Sequence, residues 1–286
     1  MPELPEVETM RRGVAPAVGC RIATLERLSC PRKPIALHPS LAAMRRGVEG
    51  RRIVAAERAG KRVVLRLDSE DRLIFEPRMT GLLLLADSPD PLYARLRLGL
   101  TGGAAPEIVY WDRRGLGNVR LATPEEFTEL FRAGKLGPDA LTMTGESYRE
   151  RLGASRRAVK TALLDQRAVA GIGNLYASEI LFVARVHPAT PCCRMTAAQW
   201  QRVNEAALAV LEEAIRYEGS TLSDGSYRNA LNKQGSYQNA HRVYARADRP
   251  CPRCGAPVRR MVQAQRSTFY CAVCQRRSGG ARSAKS

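Results

Sequence analysis

The feature that most narrows what this chain can become lies near its end, where Cys251-Pro-Arg-Cys254 and Cys271-Ala-Val-Cys274 are separated by residues 255–270. Two CxxC knuckles at this separation suit one tetrahedral Zn²⁺ gripped through four thiolates. A redox dithiol or a pair of disulfides is the weaker reading. Residues 1–20 carry acids and prolines in place of the apolar run of a secretory leader, and intracellular thiols stay reduced. With all four ligands supplied by protein, no position is left for a substrate. One structural Zn²⁺ on Cys251, Cys254, Cys271 and Cys274 is therefore expected, and no small-molecule cofactor. Residues 258–270 between the knuckles suit a β-hairpin carrying Arg259, Arg260 and Arg266. From Arg249 to the end there are nine basic residues and no acidic one.

That local excess belongs to a wider one. The 286 residues hold 46 Lys+Arg against 28 Asp+Glu, a formal charge of +18. Such a balance points to a polyanion, nucleic acid first. No stretch approaches the 18 apolar residues of a membrane span, so no membrane partner is expected and the location should be cytoplasmic. The length allows one large or two modest domains with a real core.

Residues 51–120 alternate in period two. Val63, Leu65 and Leu67 are set against Arg62, Val64 and Arg66, and Leu96, Leu98 and Leu100 against Arg95 and Arg97. Turn signals at residues 68–71, 87–90 and 101–103 separate the runs, which predicts an antiparallel sandwich or barrel-like pair of sheets. Ahead of it, Pro5 to about Val14 suits a short helix with Val7, Met10 and Val14 on one face. The second half reads as helical. Residues 196–217 open on a capping box, Thr196 with Gln199, and place Trp200, Val203, Ala207, Val210, Leu211 and Ala214 on one stripe. Helical stretches near 148–164 and 176–184 are joined by Val169-Ala-Gly-Ile-Gly-Asn174. A glycine-rich turn of this kind either lets two helices pack closely or offers backbone N–H groups to a phosphate.

The opening Met-Pro-Glu-Leu-Pro-Glu-Val-Glu-Thr-Met10 bears on binding versus catalysis. Methionine before proline is commonly removed, which would leave Pro2 as a secondary amine. An α-amino group has a pKa of ~7.7–8.0, so a fraction is unprotonated near neutrality. Such an amine attacks carbonyl-like carbon, and its iminium adduct cannot discharge by losing an N–H proton, which makes it an electron sink for elimination. Glu3 beside it suits proton transfer, and Glu6 suits support one turn into the helix. Alternatively, the prolines only start a helix and the glutamates complement its dipole.

This opening resembles that of the bacterial formamidopyrimidine-DNA glycosylases, and the resemblance runs on in order over nearly the whole chain. It takes in Gly60-Lys61, Met79-Thr-Gly81, residues 112–117, Leu136-Gly-Pro-Asp-Ala-Leu141, Lys160 with Leu163-Leu-Asp-Gln166, Gly171-Ile-Gly-Asn-Leu-Tyr176, Val243-Tyr-Ala-Arg246 and Arg266-Ser-Thr268. It implies an α+β fold, with an N-terminal antiparallel β-sandwich preceded by a helix (residues 1–130), a helical helix-two-turn-helix domain (131–241), a β-hairpin zinc finger (242–276) and a disordered basic tail (277–286). It also implies a monomer acting on damaged double-stranded DNA in the bacterial cytoplasm, associated with the nucleoid. By the same resemblance Pro2 is the nucleophile and Glu3 the proton-transferring carboxylate. Lys61 serves β-elimination and phosphate contact, Arg266 serves δ-elimination and phosphate grip, and Asn174 binds phosphate. Lys160 and Arg156 are DNA contacts. Met79, Arg114 and Leu116 fill the gap left when a base leaves the stack.

The sequence departs from the family's pattern at three places. Leu116 stands for a phenylalanine and makes a smaller wedge. Glu76-Pro-Arg-Met79 replaces His-Leu-Gly-Met, and Tyr93-Ala-Arg95 occupies a histidine-rich DNA-contacting stretch. These leave the elimination chemistry intact and bear on the substrate. Oxidised purines, 8-oxoguanine and formamidopyrimidines, are favoured, oxidised pyrimidines are the alternative, and a noncatalytic DNA-binding descendant is the competing class. Residues 220–239 are expected to face the lesion.

Overall fold

The computed structural model describes residues 2–132, 134–222, 225 and 227–277; Met1 and residues 278–286 of the expected disordered tail lie outside them. The chain divides into two compact units, Met1–Lys135 with Glu213–Asn239, and Leu136–Glu212 with Ala240–Ser286.

The first unit opens with α1 (Leu4–Gly13), followed by β1 (Arg21–Arg27), β2 (Ala36–His38), α2 (Leu41–Val48), β3 (Ile53–Ala59), β4 (Arg62–Leu67), β5 (Arg72–Glu76), β6 (Gly81–Leu84), β7 (Ala94–Thr101), β8 (Glu107–Asp112), β9 (Asn118–Ala122) and α3 (Pro124–Phe131). The strands form two sheets, ordered β1-β7-β8-β6 and β2-β9-β5-β4-β3. Alternation explains the core. Ile22, Leu25, Leu82, Leu96 and Leu98 from one sheet meet Val63, Leu65, Phe75 and Val119 from the other, and Val7, Met10 and Val14 of α1 join the same cluster. At about 25 cal/mol per Å² of apolar area, a shared core of this size is the unit's main stabilising term.

Three details differ from the expected antiparallel sandwich. β2 pairs with β9 in parallel, Ala36 opposite Asn118; strands so far apart in sequence are not bound by a tight turn to run antiparallel. Val64, expected on the open face, is buried with Ile74 and Ala122 under Phe127, Leu130 and Phe131 of α3. Arg95 also lies inside, 3 % exposed, because its guanidinium donates to the carbonyls of Asp112 (2.7 Å) and Lys33 (3.2 Å).

The second unit holds α4 (Gly145–Leu152), α5 (Val159–Leu163), α6 (Asn174–Val183), the long α7 (Ala197–Arg216), whose last turn belongs to the first unit, and the hairpin of β10 (Arg259–Gln263) and β11 (Arg266–Tyr270). The single helix expected over 148–164 is two. The chain leaves the helix at Gly153, and residues 157–158 run extended before α5 begins, with Cys192 N donating to Arg157 O and Val159 N to Thr190 O. The box at α7 is present, with Thr196 N donating to Gln199 Oε1 (2.8 Å) and Gln199 N to Thr196 Oγ1 (3.2 Å). No helix among the described residues is long and apolar enough to cross a membrane.

Within this unit Glu179 of α6 is fully buried and gathers the backbone N–H groups of Arg242, Val243 and Tyr244 at 2.8–2.9 Å. Burial raises its pKa against the pull of those donors. His241, in the same turn and 7 % exposed, is pushed down to about 4 by burial first and by Arg246 and Arg242 second. The folded protein thus holds His241 neutral where the unfolded chain, near 6.5, takes up a proton. Stability is complete above pH 6.5 and falls toward the folded value, by about 2 kcal/mol between pH 7 and 4.5. Urea titrations across that range should show a pH dependence in His241→Gln flatter by this amount than in the wild type.

Candidate active site and nucleic-acid interface

At the amino end, Pro2 and Glu3 are buried, and Glu3 caps α1 in extended backbone (φ −109°, ψ −168°). Its N–H donates to Glu6 Oε2 at 2.9 Å, the reciprocal arm of a capping box. Sequence reasoning missed this box because glutamate is not a preferred N-cap residue; the Glu-x-x-Glu spacing was the available signal. The third acid of the opening has another task. Glu8 is enclosed by Arg11, Arg12 and Arg58, and although burial alone would raise its carboxyl, these guanidinium groups bring it below the ordinary value.

Lys61 occupies the second position of a two-residue hairpin turn between β3 and β4, with Gly60 supplying the left-handed backbone at φ 58°. Met79, Arg114 and Leu116 sit on two neighbouring loops, and Asp112 organises both. Fully buried, it accepts from Thr80 Oγ1 (2.5 Å) and Arg114 N (3.1 Å) on one oxygen and from Gly117 N (2.8 Å) on the other. Arg95 clamps its carbonyl from below. Met79 and Leu116 are left 36 % and 39 % exposed, and apolar side chains held in solvent by so firm a base are available to a partner. Of the three departures, Glu76 builds an ionic bridge in place of a free imidazole. It takes Arg62 Nε (3.3 Å), Arg78 Nε (3.0 Å) and Asn118 Nδ2 (2.9 Å), while its carbonyl accepts Tyr110 OH (3.1 Å). Gly117 is needed there, since a Cβ would lie 1.9 Å from that hydroxyl.

In the second unit Lys160 and Asn174 come together with the hairpin. Lys160, 1 % exposed, donates to Asn174 Oδ1 (2.7 Å), Thr268 Oγ1 (2.7 Å) and Ser267 O (3.2 Å), matching the three donors of an ammonium. Asn174 opens α6 and donates through Nδ2 to Ser267 O at 3.1 Å. Arg266, next to Ser267, and Arg156 are exposed. The hairpin itself rests on Phe182, Val243 and Val258 beside Cys251 and Cys271. The four sulfurs lie within 4.8 Å of one another, with Cys251–Cys274 at 3.9 Å and Cys254–Cys271 at 3.5 Å. Zn–S bonds of about 2.3 Å in a tetrahedron require this spacing, so the donors fit Zn²⁺, which would close the finger and leave no coordination position for chemistry.

Three family models match the chain: the N-terminal domain of formamidopyrimidine-DNA glycosylase over residues 1–119, its H2TH domain over 136–226, and the zinc finger found in FPG and IleRS over 249–277. The formamidopyrimidine-DNA glycosylase of Chloroflexus aurantiacus is 39 % identical over 278 residues, 96 % of this chain and 98 % of that one. The Fpg protein of Thermus thermophilus superposes with a TM-score of 0.83 at 36 % identity, covering 96 % and 99 % of the two chains. Lactococcus lactis Fpg, solved in one crystal as a variant with DNA containing Fapy-dG and in another as wild type with DNA containing an oxidised pyrimidine, gives 0.83 at 30 % identity, covering 96 % of this chain and all of its own.

The Asp112 hub makes a stability prediction. In Asp112→Asn one oxygen becomes an amide NH₂ that faces another donor, leaving a buried group unsatisfied at about 1–3 kcal/mol. Urea unfolding should show a loss in that range.

Proposed function

The chain belongs to the formamidopyrimidine-DNA glycosylase family, and on that footing we propose that its substrate is an oxidised purine, 8-oxoguanine or a formamidopyrimidine, in duplex DNA. It is a base-excision repair glycosylase with associated AP lyase activity, and it binds damaged double-stranded DNA. Its cofactor is one structural Zn²⁺ in the finger. The observation that carries the assignment of roles is the placement of Pro2 immediately before the capped first turn of α1, with the carboxylates of Glu3 and Glu6 buried beside it.

Once Met1 is removed, the Pro2 amine attacks C1′ of the damaged nucleotide. The N-glycosidic bond breaks, and its electron pair leaves with the base, which gains a proton. Glu3 delivers and removes protons at the opening sugar. The resulting iminium acidifies C2′; Lys61 serves the transfer of that proton to a base, and the electron pair left behind expels the 3′-phosphate. A second elimination releases the 5′-phosphate, with Arg266 gripping it. Water then frees the amine. Met79, Arg114 and Leu116 occupy the space of the extruded nucleotide. Asn174, aligned by Lys160, and Arg156 bind phosphate. By these roles the chain divides into catalytic sandwich (1–130), helical domain (131–241), finger (242–276) and basic tail (277–286), although residues 213–239 of the second pack with the first compact unit, and the enzyme works as a monomer in the bacterial cytoplasm, associated with the nucleoid through its DNA.

A second reading, the same chemistry on oxidised pyrimidines, is favoured by the small wedge at Leu116 and by the pyrimidine-containing complex of the Lactococcus relative. A panel of 8-oxoguanine opposite C, formamidopyrimidine, thymine glycol and dihydrouracil separates the two; faster excision of the purines is expected, and preference for thymine glycol would reverse the choice. For the chemistry, borohydride should trap processed wild-type protein on abasic duplex, and Pro2→Gly should trap strongly less.

A further inference from the structure

A single buried side chain touches both the backbone beside the amine and the segment assigned to the lesion. Glu6 is 3 % exposed; its Oε2 accepts from Glu3 N at 2.9 Å and its Oε1 accepts from Ser220 N at 2.9 Å. The carbonyl of the same residue accepts from Tyr227 OH (3.3 Å), a hydroxyl that also reaches Glu218 O (3.0 Å). Gly219 closes the contact, at φ 79° and with the position of a Cβ only 2.9 Å from Glu6 Cγ and Oε1. Leu85 N further ties this segment to the sandwich through Ala230 O (2.9 Å). The two oxygens of a carboxylate are rigidly related, so a shift of the Ser220 N–H turns the group and moves the acceptor that fixes Glu3 N, one residue from Pro2.

We propose that Glu6 is a positioning residue that couples the Ser220 segment to the Pro2 amine, so that a base seated against this segment brings the nucleophile into register. The inference rests on the reading of Pro2 as nucleophile given above. It implies a split between two reactions of one site. Excision of a lesion uses the seated base; reaction with a preformed abasic aldehyde has no base to seat.

Glu6→Gln keeps the volume but offers an amide NH₂ to one of the two N–H donors, and loss of one charge-assisted hydrogen bond corresponds to about tenfold or more in a positioned step. Single-turnover excision of 8-oxoguanine from duplex should fall by at least that much more than borohydride trapping on abasic duplex falls. Gly219→Ala perturbs the contact from the other side and leaves Glu6 in place; it should give the same split, and it keeps the test open where Glu6→Gln does not fold. Equal losses in both assays, or none, for the folded variants would overturn the coupling. Absence of an adduct with processed wild-type protein is a separate result and would overturn the nucleophile assignment itself.

Discussion

A carboxylate taken out of water must be met by donors, because an unpaired buried charge is far more expensive than any packing gain it permits. Three acids obey this constraint in the same way, and the loops that matter for function hang from them. Glu6 gathers Glu3 N and Ser220 N, Asp112 gathers Thr80 Oγ1, Arg114 N and Gly117 N, and Glu179 gathers the N–H groups of residues 242–244. In each case the donors are mostly backbone, so the acid fixes the path of a loop and leaves its side chains free. Arg114, Met79 and Leu116 reach solvent from the Asp112 hub. Glu179, for its part, sets the turn by which the chain enters the finger.

How much of this was legible in the sequence depends on the range of the signal. The stripe of α7 and the CxxC knuckles are local patterns, and each corresponds to what the structure holds; the alternation of β4 and β7 holds except at Val64 and Arg95. Arg95 departs from its pattern, since a charged residue in an alternating strand ordinarily faces water; only the carbonyls of Asp112 and Lys33, distant in sequence, explain its burial. The break at Gly153 depends on extended pairing with residues 190–192, again a distant partner. Periodicity is equally silent about residues 213–239 joining the first unit, since nothing within that segment announces that the N–H of Ser220 has Glu6 as an acceptor.

The departures from the family pattern have a physical content that the pattern alone did not give. Glu76 is tied to Arg62, Arg78 and Asn118, so a carboxylate held in an ionic bridge stands where the pattern has an imidazole. Arg78 stands where the pattern has glycine and adopts φ 51°, a conformation that disfavours any residue with a Cβ by about 1–2 kcal/mol. The ion pair to Glu76, with Arg78 largely exposed, offsets little of that. The strain is therefore accepted at a loop next to the wedge, where it bears on shape more than on stability.

The charge excess also needs dividing before it explains DNA binding. Arg11, Arg12 and Arg58 are engaged by Glu8, Arg62 by Glu76, and Arg95 by backbone carbonyls. Lys160 has three acceptors for its three N–H groups and is closed to solvent, so donating to a phosphate would require it to give up Asn174, Ser267 or Thr268. Its charge acts through the alignment it imposes on Asn174 and on the strand that begins with Arg266. Arg114, Arg156 and Arg266 are the exposed cations at the positions assigned to DNA, and they are where counterion release, and hence the salt dependence of binding, should originate. A net charge of +18 sets the long-range field, but only the few cations that the buried carboxylates leave exposed are placed to meet a phosphate without first giving up a partner.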